Sequence, residues 1–292
     1  MMTVVIPKKA VGYTMREFDF YLVGTPIGNL GDMSSRAVEI LEYVDFIAAE
    51  DTRNTLKLLN HLGIKKPLIS YFEHNKRQRG EEIMALMREG KRGALVTEAG
   101  MPAISDPGED LVKQLYENGF TVTAVPGPTA FSTALVLSGL DTSRFSFEGF
   151  VSTAKKNRRE HLESIKNYPN TLIFYEGPTK LRGTLSDLLE HFGDRKCAVV
   201  RELTKLYEEV IRGTLSEVTE HFENTDPRGE FVIVVEGRKD TPDEEKFWSR
   251  LSLADHVEYY VNTGLDKKSA IKQTAIDRDM PKSEVYNQVM KK

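Results

Sequence analysis

Short apolar runs rich in β-branched residues alternate along the chain with segments whose apolar residues recur at helical spacing. The face from Ala37 to Val44 predicts one helix, and the face from Ile83 to Met87 predicts another. Strands that alternate with amphipathic helices are typical of an α/β protein with a largely parallel sheet. The first series predicts five strands: FYLVG (20–24), FIAAE (46–50), PLISY (67–71), ALVTE (94–98) and FTVTAV (120–125).

The alternation is interrupted at SGLDTSRFSFEGF (138–150), a polar run with two turn signals, and then repeats. The repeat predicts four further strands: TLIFYE (171–176), KCAVVRE (196–202), EEVIRGTL (208–215) and EFVIVVEG (230–237). We therefore expect two α/β domains, with a boundary near residues 139–146. After residue 240 the chain is polar and has too few apolar positions for a third such domain. The predicted parts are an extension (1–19), an N-terminal α/β domain (20–140), a C-terminal α/β domain (141–239) and a small helical, helix-turn-helix-like domain (240–292).

Composition narrows the class of protein. With 40% hydrophobic and 29% charged residues, and no apolar run approaching about 18 residues, neither a membrane span nor long disorder is expected. The N-terminus lacks the apolar core of a secretory signal, and the single cysteine, Cys197, cannot form an internal disulfide, so a cytoplasmic location is expected. The apolar neighbours of Cys197 indicate a buried strand thiol. A net charge of −4 means that any nucleic-acid contact must be local.

Three unusual loops follow predicted strands: VGTPIGNLGD (23–32), EAGMPAISDPG (98–108) and VPGPTA (125–130). Ligands of parallel sheets bind at the carboxyl ends of the strands, where these loops begin. Glycine allows close backbone approach and proline stiffens a loop, although each loop taken alone could be only a rigid turn. The loops lack the Lys of a phosphate-binding loop and carry acids instead, which favours a cationic or zwitterionic small ligand over a nucleotide triphosphate.

These residues carry a resemblance to a known family. GTPIGNL (24–30), AAEDTRNTLKLL (48–59), the 98–108 loop, VPGPTA and RELTK (201–205) resemble the S-adenosylmethionine-dependent methylases of the tetrapyrrole methylase superfamily. The similarity is to the branch that methylates the ribose 2′-hydroxyl of a cytidine in small-subunit (16S) ribosomal RNA. The resemblance implies two α/β domains with the cofactor in the cleft between them, a homodimer, and the small ribosomal subunit as partner.

The resemblance also implies a set of cofactor contacts, most of them made by the main chain. The sequence departs from the family pattern at Glu98, Met101, Lys76 and Pro178-Thr179-Lys180, and these departures concern the substrate side more than the cofactor side. The implied S-adenosylmethionine contacts are Pro26, Gly100, Met101, Ile104, Thr129, Ala130, Tyr175, Leu203, Gly229 and Glu230.

A general base would assist transfer to a ribose hydroxyl, which is a weak nucleophile at neutral pH. Asp51 and His74 are the first candidates, because they follow the second and third predicted strands at the same sheet edge. Each has another interpretation: Asp51 or Thr52 could cap a helix, and His74 could be a solvated loop residue. The remaining candidates nearby are Glu50, Arg53 and Asn75.

Local cation clusters are the candidate RNA contacts, although a charge run is usually only a solvated face. The cluster in AKKNRREH (154–161) falls at a predicted helix start, where the helix dipole disfavours cations. The basic tail could add an RNA contact or an oligomer contact. The candidate RNA-binding residues are Lys76, Arg77, Lys155, Lys156, Arg158 and Arg159.

Two other functions stay open at this point. A tetrapyrrole (precorrin-type) C-methyltransferase of the same superfamily would not require the basic clusters. A catalytically inactive ribosome-binding relative would keep the fold and lose the chemistry. No metal is expected, since no His, Cys or Asp cluster has ligand spacing.

Overall fold

The structure is a computed structural model that describes residues 17–239, 247–248, 251–278 and 280–290. The chain forms two compact units, Met1–Arg238 and Lys239–Lys292. The first unit contains two β-sheets with their helices, and the second is helical. Most of the extension predicted over residues 1–19 lies outside the described residues.

The first sheet is entirely parallel and has the strand order β3-β2-β4-β1-β5. Its carboxyl ends therefore meet at one edge, as the sequence predicts. All five strands of the first predicted series are confirmed. They are β1 (Phe20–Val23), β2 (Phe46–Ala49), β3 (Leu68–Ser70), β4 (Gly93–Val96) and β5 (Val122–Val125).

Helices cover both faces of this sheet because its strands are apolar on both sides. One face packs with α1 (Ser35–Tyr43) and α2 (Thr52–Leu62). The other packs with α3 (Lys76–Arg88) and α4 (Gly108–Glu117). The predicted helix faces are confirmed: Ala37 to Val44 contribute to the first core, and Ile83 to Met87 to the second.

The second sheet has the order β6-β7-β10-β8-β9, and only β6 and β7 are parallel. The prediction of a second largely parallel sheet is therefore wrong, although the four predicted strands exist. β8 and β9 are joined by a short loop without a crossover helix, and such a connection produces an antiparallel pair. The strands are β6 (Phe145–Phe150), β7 (Thr171–Glu176), β8 (Lys196–Arg201), β9 (Glu209–Thr214) and β10 (Phe231–Val235).

The two faces of the second sheet are covered unequally. One face packs with α6 (Lys155–Ile165), α7 (Leu181–Phe192) and α8 (Leu215–Asn224). The other packs with α5 (Ala130–Ser138) and with Ile27 from the loop after β1. Cys197 is buried in β8, and burial raises the pKa of its thiol to about 12, which confirms the structural role expected for it.

The second unit is a small helical bundle. It contains α9 (Leu253–Asn262), α10 (Lys267–Asp277) and α11 (Lys282–Met290). Val257, Ile271 and Val285 form its core with Ala270 and Ala275. Within the described residues, no helix of either unit is long and apolar enough to cross a membrane.

Candidate functional site

A cavity of about 750 Å³ opens in the first unit between the carboxyl edge of the first sheet and one face of the second. The loops after β1, β4 and β5 line one side. β7, β8, β10 and the loop after β8 line the other. Its volume is in the range of small-molecule and cofactor sites.

Backbone strain is concentrated in two loops of this cavity. Among the described residues, the only non-glycine residues with positive φ are Ala103 (67°), Ser105 (65°), Glu202 (50°) and Thr204 (65°). The first pair lies in the loop after β4 and the second in the loop after β8, on opposite sides of the cavity. Such conformations cost free energy and collect at functional sites, so the strain marks the cavity independently of its size.

Asp106 holds the first strained loop together. Its carboxylate accepts hydrogen bonds from the amides of Ala103 (3.0 Å), Ile104 (3.1 Å) and Gly108 (2.8 Å). Three amide donors stabilise both the carboxylate and the turn. The aspartate of SDPG therefore has a structural role in addition to its negative charge.

Glycines allow the loops after β1 and β5 to touch. A β-carbon on Gly24 would lie 2.7 Å from Gly127 Cα and 2.7 Å from Met101 Sδ, closer than atoms can approach. Thr25 and Gly100 then exchange backbone hydrogen bonds of 2.9 and 3.1 Å. The three Gly-Pro loops thus form one backbone-lined wall, as their composition predicts.

The lining of the cavity includes acidic side chains. Partial enclosure of its carboxyl raises the pKa of Glu50, and the negative charges of Asp106 and Glu98 raise it further. Glu98 accepts a hydrogen bond of 2.8 Å from Asn54 Nδ2, which orients it. Glu50 is therefore a carboxyl group at the cavity that takes up a proton more readily than an ordinary glutamate.

Asp51, the neighbour of Glu50, is the N-cap of α2. Its Oδ1 accepts hydrogen bonds from the amides of Arg53 (2.8 Å) and Asn54 (3.3 Å), and Arg53 also pairs with Oδ2 at 3.3 Å. These contacts, that of the Arg53 side chain first, lower the pKa of Asp51. Neither Asp51 nor Arg53 lines the cavity, and the helix-capping alternative left open by the sequence describes their contacts.

His74 and Asn75 follow β3 and line a separate shallow pocket with Arg77, away from the cavity. Asn75 Oδ1 accepts from the amide of Phe72 at 2.8 Å, and its Nδ2 donates to the carbonyl of Ser70 at 3.1 Å. Asn75 therefore fixes the turn into α3. His74 is exposed and packs edge-on against Phe72.

The expected cofactor residues come together. All of them except Gly229 line the cavity: Pro26, Gly100, Met101, Ile104, Thr129, Ala130, Tyr175, Leu203 and Glu230. Gly229 has a φ of 88°, and a β-carbon there would lie 2.5 Å from Glu202, so it permits the second strained loop to close. Tyr175 Oη accepts from the amide of Phe131 at 3.1 Å.

Lys205 and Phe150 also line the cavity, and neither is among the predicted site residues. Lys205 Nζ pairs with Glu230 (2.8 Å) and Glu202 (3.0 Å), and its stem lies against Gly28 on the opposite wall. It thereby spans the two halves of the site. RELTK contains this lysine, but only the fold reveals that it crosses the cleft.

The predicted RNA-binding cations fall into two groups. Lys76 pairs with Asp110 (2.5 Å) and Glu73 (2.8 Å), and these two hydrogen bonds raise its pKa. Arg158 is mostly buried, with an ion pair to Asp187 and a hydrogen bond to Thr184. Both have local structural partners. The exposed group consists of Arg77, Lys155, Lys156 and Arg159.

Within the described residues, no group of three or more His, Cys, Asp and Glu side chains is arranged to hold a metal ion. The cavity thus offers strained backbone, carboxylates, one bridging lysine and an apolar wall. That combination suits an organic cation with an aromatic part.

Comparison with known proteins places this site in a family. A model of the Tetrapyrrole (Corrin/Porphyrin) Methylases matches residues 19–219. A Bacillus subtilis protein named ribosomal RNA small subunit methyltransferase I is 49% identical over 91% of this chain and 92% of its own length. A Thermotoga maritima protein of the same name is 48% identical over 75% of this chain and 98% of its own length.

The fold has solved counterparts as well. The crystal structure of a cobalt precorrin-4 methyltransferase superposes with a TM-score of 0.57 over 74% of this chain and 94% of that chain, at 17% identity. This likeness supports the architecture, and the sequence relatives and the family model support the resemblance drawn from the motifs. The chain belongs to the tetrapyrrole (corrin/porphyrin) methylase family.

Proposed function

We propose that the chain transfers a methyl group from S-adenosylmethionine to the ribose 2′-hydroxyl of a cytidine in small-subunit (16S) ribosomal RNA, in the cytoplasm. The observation that carries this proposal is the 49% identity, over nearly its whole length, to a protein named for small-subunit ribosomal RNA methylation. The cavity supports it, because its chemistry suits the cofactor and because its lining includes a carboxyl group able to accept a proton.

The lining fits S-adenosylmethionine in three respects. The Gly24–Gly127 contact leaves a backbone wall that β-carbons would fill. Glu98 and Glu50 supply negative charge for a ligand with a sulfonium and an ammonium group. The buried side chains of Val200, Leu203 and Val232 supply an apolar surface for an adenine ring. When bound, the cofactor supplies an electrophilic methyl group.

The chain's own contribution is to orient the nucleophile and accept its proton. Correct placement of two reacting groups can lower a barrier by about 7–11 kcal/mol. Glu50 is the best placed of the candidate bases, because it lines the cavity and its pKa is raised, whereas Asp51 is held as a helix cap with a lowered pKa. We assign Glu50 to proton acceptance from the ribose hydroxyl, and Asp51 to positioning α2.

The exposed cations at the start of α6 are proposed as phosphate contacts. Among the described residues, Lys155 and Arg159 have no acidic partner. The ion pair of Lys156 with Glu160 is long, at 3.9 Å. Local clusters of this kind can hold an RNA backbone on a protein whose net charge is −4.

We also propose the homodimer that the family resemblance implies. Val136, Leu206 and Tyr207 are 75%, 88% and 69% exposed, and such an interface could bury these side chains. Sedimentation of the purified chain tests this, and a monomer at all concentrations would contradict it.

The decisive experiment combines the purified chain, S-adenosylmethionine labelled on its methyl group, and small ribosomal subunits from cells lacking this protein. We expect label in the RNA at one cytidine, in a dinucleotide that resists alkaline cleavage because its 2′-oxygen is methylated. Label in a base would contradict the assigned position. Label only in a tetrapyrrole added in parallel would replace the proposed substrate, and no label anywhere would favour an inactive ribosome-binding protein.

A further inference from the structure

Phe150 is an exposed aromatic residue at the rim of the cavity. It is the last residue of β6 and is 63% exposed, yet it lines the cavity. The apolar residues deeper in the wall, Val200, Leu203 and Val232, are 0%, 6% and 5% exposed. The lining of the cavity therefore changes from buried apolar side chains in its wall to a solvent-exposed aromatic ring at its rim.

A β-bulge directs this ring to the cavity. Phe147 and Phe150 are three positions apart, which in a regular strand would place them on opposite faces. Both rings nevertheless contact Tyr175, at centroid distances of 4.8 and 5.5 Å. The pairing with β7 shifts between Phe147 and Gly149, and Gly149 has a φ of 65°. Bulges between parallel strands are rare and commonly re-aim a side chain next to an active site.

The bulge at Gly149 lies where the two halves of the site meet. A β-carbon on Gly149 would be 3.5 Å from Ser105 Oγ in the strained loop of the first half. Five residues after Phe150, α6 begins with its exposed cations. Phe150 thus lines the proposed cofactor cavity and, along the chain, comes shortly before the proposed phosphate contacts.

We propose that Phe150 is the stacking platform for the nucleobase of the nucleotide whose ribose enters the cavity. The inference rests on the proposed function and extends it to substrate positioning. Proteins that select single-stranded RNA stack unpaired bases on aromatic side chains. Stacking holds the base while leaving the ribose hydroxyl open to the cavity, and it explains why an aromatic ring is kept exposed here.

The test compares Phe150→Ala, Phe150→Leu and Phe150→Tyr with the wild-type chain. Binding of S-adenosylmethionine is measured by calorimetry, and kcat and KM are measured with small ribosomal subunits. We expect the Ala and Leu variants to raise KM by about 5- to 100-fold, the range that loss of one base–aromatic stack produces. The Tyr variant should retain a KM close to wild type, and cofactor affinity should be unchanged in all three. Tyr116→Ala, which removes a 79% exposed ring from α4, is the matched control and should change nothing.

Other outcomes overturn the inference in distinguishable ways. If the Ala variant weakens cofactor binding as much as it raises KM, the ring packs on the cofactor. If it changes the sedimentation of the chain, the ring belongs to a contact between copies. If the Leu variant matches wild type, apolar bulk suffices and stacking is excluded. An active wild-type chain with an unchanged Ala variant defeats this inference alone, whereas a wild-type chain that methylates no subunit defeats the proposed function and this inference together.

Discussion

At the scale of single residues, Glu50 and Asp51 show how neighbouring carboxylates acquire different roles. Glu50 faces the cavity, where enclosure and the charges of Asp106 and Glu98 raise its pKa. Asp51 points to the first turn of α2, where Arg53 and the helix amides lower its pKa. The pKa values of the two carboxyl groups shift in opposite senses because their side chains point to opposite sides, as adjacent residues at a strand end do.

We expect Glu50→Gln to lower kcat by at least about 100-fold, the usual contribution of a general base. The same change should raise the melting temperature slightly, because a carboxylate with a raised pKa destabilises the folded state at neutral pH and an amide does not. In the wild-type chain, kcat should decrease as the pH is lowered. Because the pKa of Glu50 is raised, this decrease should begin at a higher pH than it would with an ordinary glutamate as the base. Stopped assays over a pH series measure kcat and its pH dependence, and thermal scans measure the melting temperature, with Glu42→Gln on α1 as the control. An active Glu50→Gln chain would remove Glu50 as the base.

Asp51→Ala should lower the melting temperature by a few degrees, because two amides of α2 lose their acceptor. Asp51→Asn, which keeps a capping oxygen, should lose less. Because the pKa of Asp51 is lowered, its stabilising effect is present above the unfolded pKa and disappears as the pH falls towards the folded one. Thermal scans at pH 7 and in acid test this. A stable Asp51→Ala chain with a greatly reduced kcat would instead restore Asp51 as a catalytic residue.

At the scale of secondary structure, the sequence predicts most strands and misses one. Nine strands stand out because their apolar runs are bounded by turn residues. β6 does not, since FSFEGF lies at a sheet edge and contains a bulge and a glycine. The same bulge that makes β6 hard to predict from the sequence pattern also directs Phe150 to the cavity.

Much of the candidate site was also accessible to sequence reasoning. The Gly-Pro loops and their acids predict a backbone-lined, acidic site, because glycine, proline and acidic residues determine the backbone shape and charge of the loop that contains them. Pairings over long sequence distances are different: the sequence pattern does not indicate that Lys76 pairs with Asp110, and only the fold brings the two together. The bridging position of Lys205 depends in the same way on Gly28, which lies in the other half of the unit.

The start of α6 gives a prediction for RNA binding. Lys155→Glu combined with Arg159→Glu should weaken binding to small-subunit RNA and lower the slope of log affinity against log salt by about 2, because two phosphate contacts are removed. Filter binding over a salt series measures the slope. The double variant Lys113→Glu and Lys196→Glu makes the same charge change at exposed positions on α4 and β8 and should preserve the slope. Equal slopes in the two double variants would exclude α6 from the contact.

The helical unit contains a buried cluster that sequence analysis did not anticipate. His256 is fully buried, its Nδ1 accepts from Arg278 Nε at 3.2 Å, and its Nε2 lies 3.2 Å from Asp277. The ring of Trp248 stacks on it with a centroid distance of 5.4 Å. Burial, and then the charge of Arg278, lowers the pKa of His256, so the folded unit favours the neutral imidazole.

Stability of this unit should therefore fall as the pH drops below the unfolded pKa of about 6.5, because the unfolded state gains a proton that the folded state resists. Trp248 is the single tryptophan of the chain, so its fluorescence follows this unit during urea unfolding. We expect the midpoint to decrease between pH 7 and 5 in wild type and to change less in His256→Gln, which keeps an acceptor for Arg278. His61→Gln, a change at an exposed histidine on α2, is the control. Equal pH dependence in His256→Gln and wild type would contradict this account.

At the scale of the whole molecule, the two sheets contribute different surfaces to one site. The parallel sheet supplies loops from its carboxyl edge, as open parallel sheets do. The mixed sheet supplies a strand face, through Tyr175, Val200 and Val232, together with the loop between its antiparallel strands β8 and β9. Sequence analysis located both halves but could not foresee this asymmetry, because strand direction depends on how the strands connect in space.

All the residues that line the cavity belong to the first unit, and the Thermotoga maritima relative is covered almost completely by 75% of this chain. The chain near residue 238 is tied to that unit, since Arg238 donates its amide to the carbonyl of Tyr168 at 2.7 Å. We therefore expect a chain truncated after Lys239 to fold, to bind S-adenosylmethionine with unchanged affinity and to retain its kcat.

Calorimetry with the cofactor and transfer assays with small ribosomal subunits test this truncation. A second truncation after Asn224 removes β10, which lies at the centre of the second sheet, and should abolish folding. If the helical unit contributes to RNA binding, only KM should rise when it is removed. A folded chain ending at Lys239 that no longer binds the cofactor would show that the helical unit is required for the site, since no residue of the cavity lining would have been deleted.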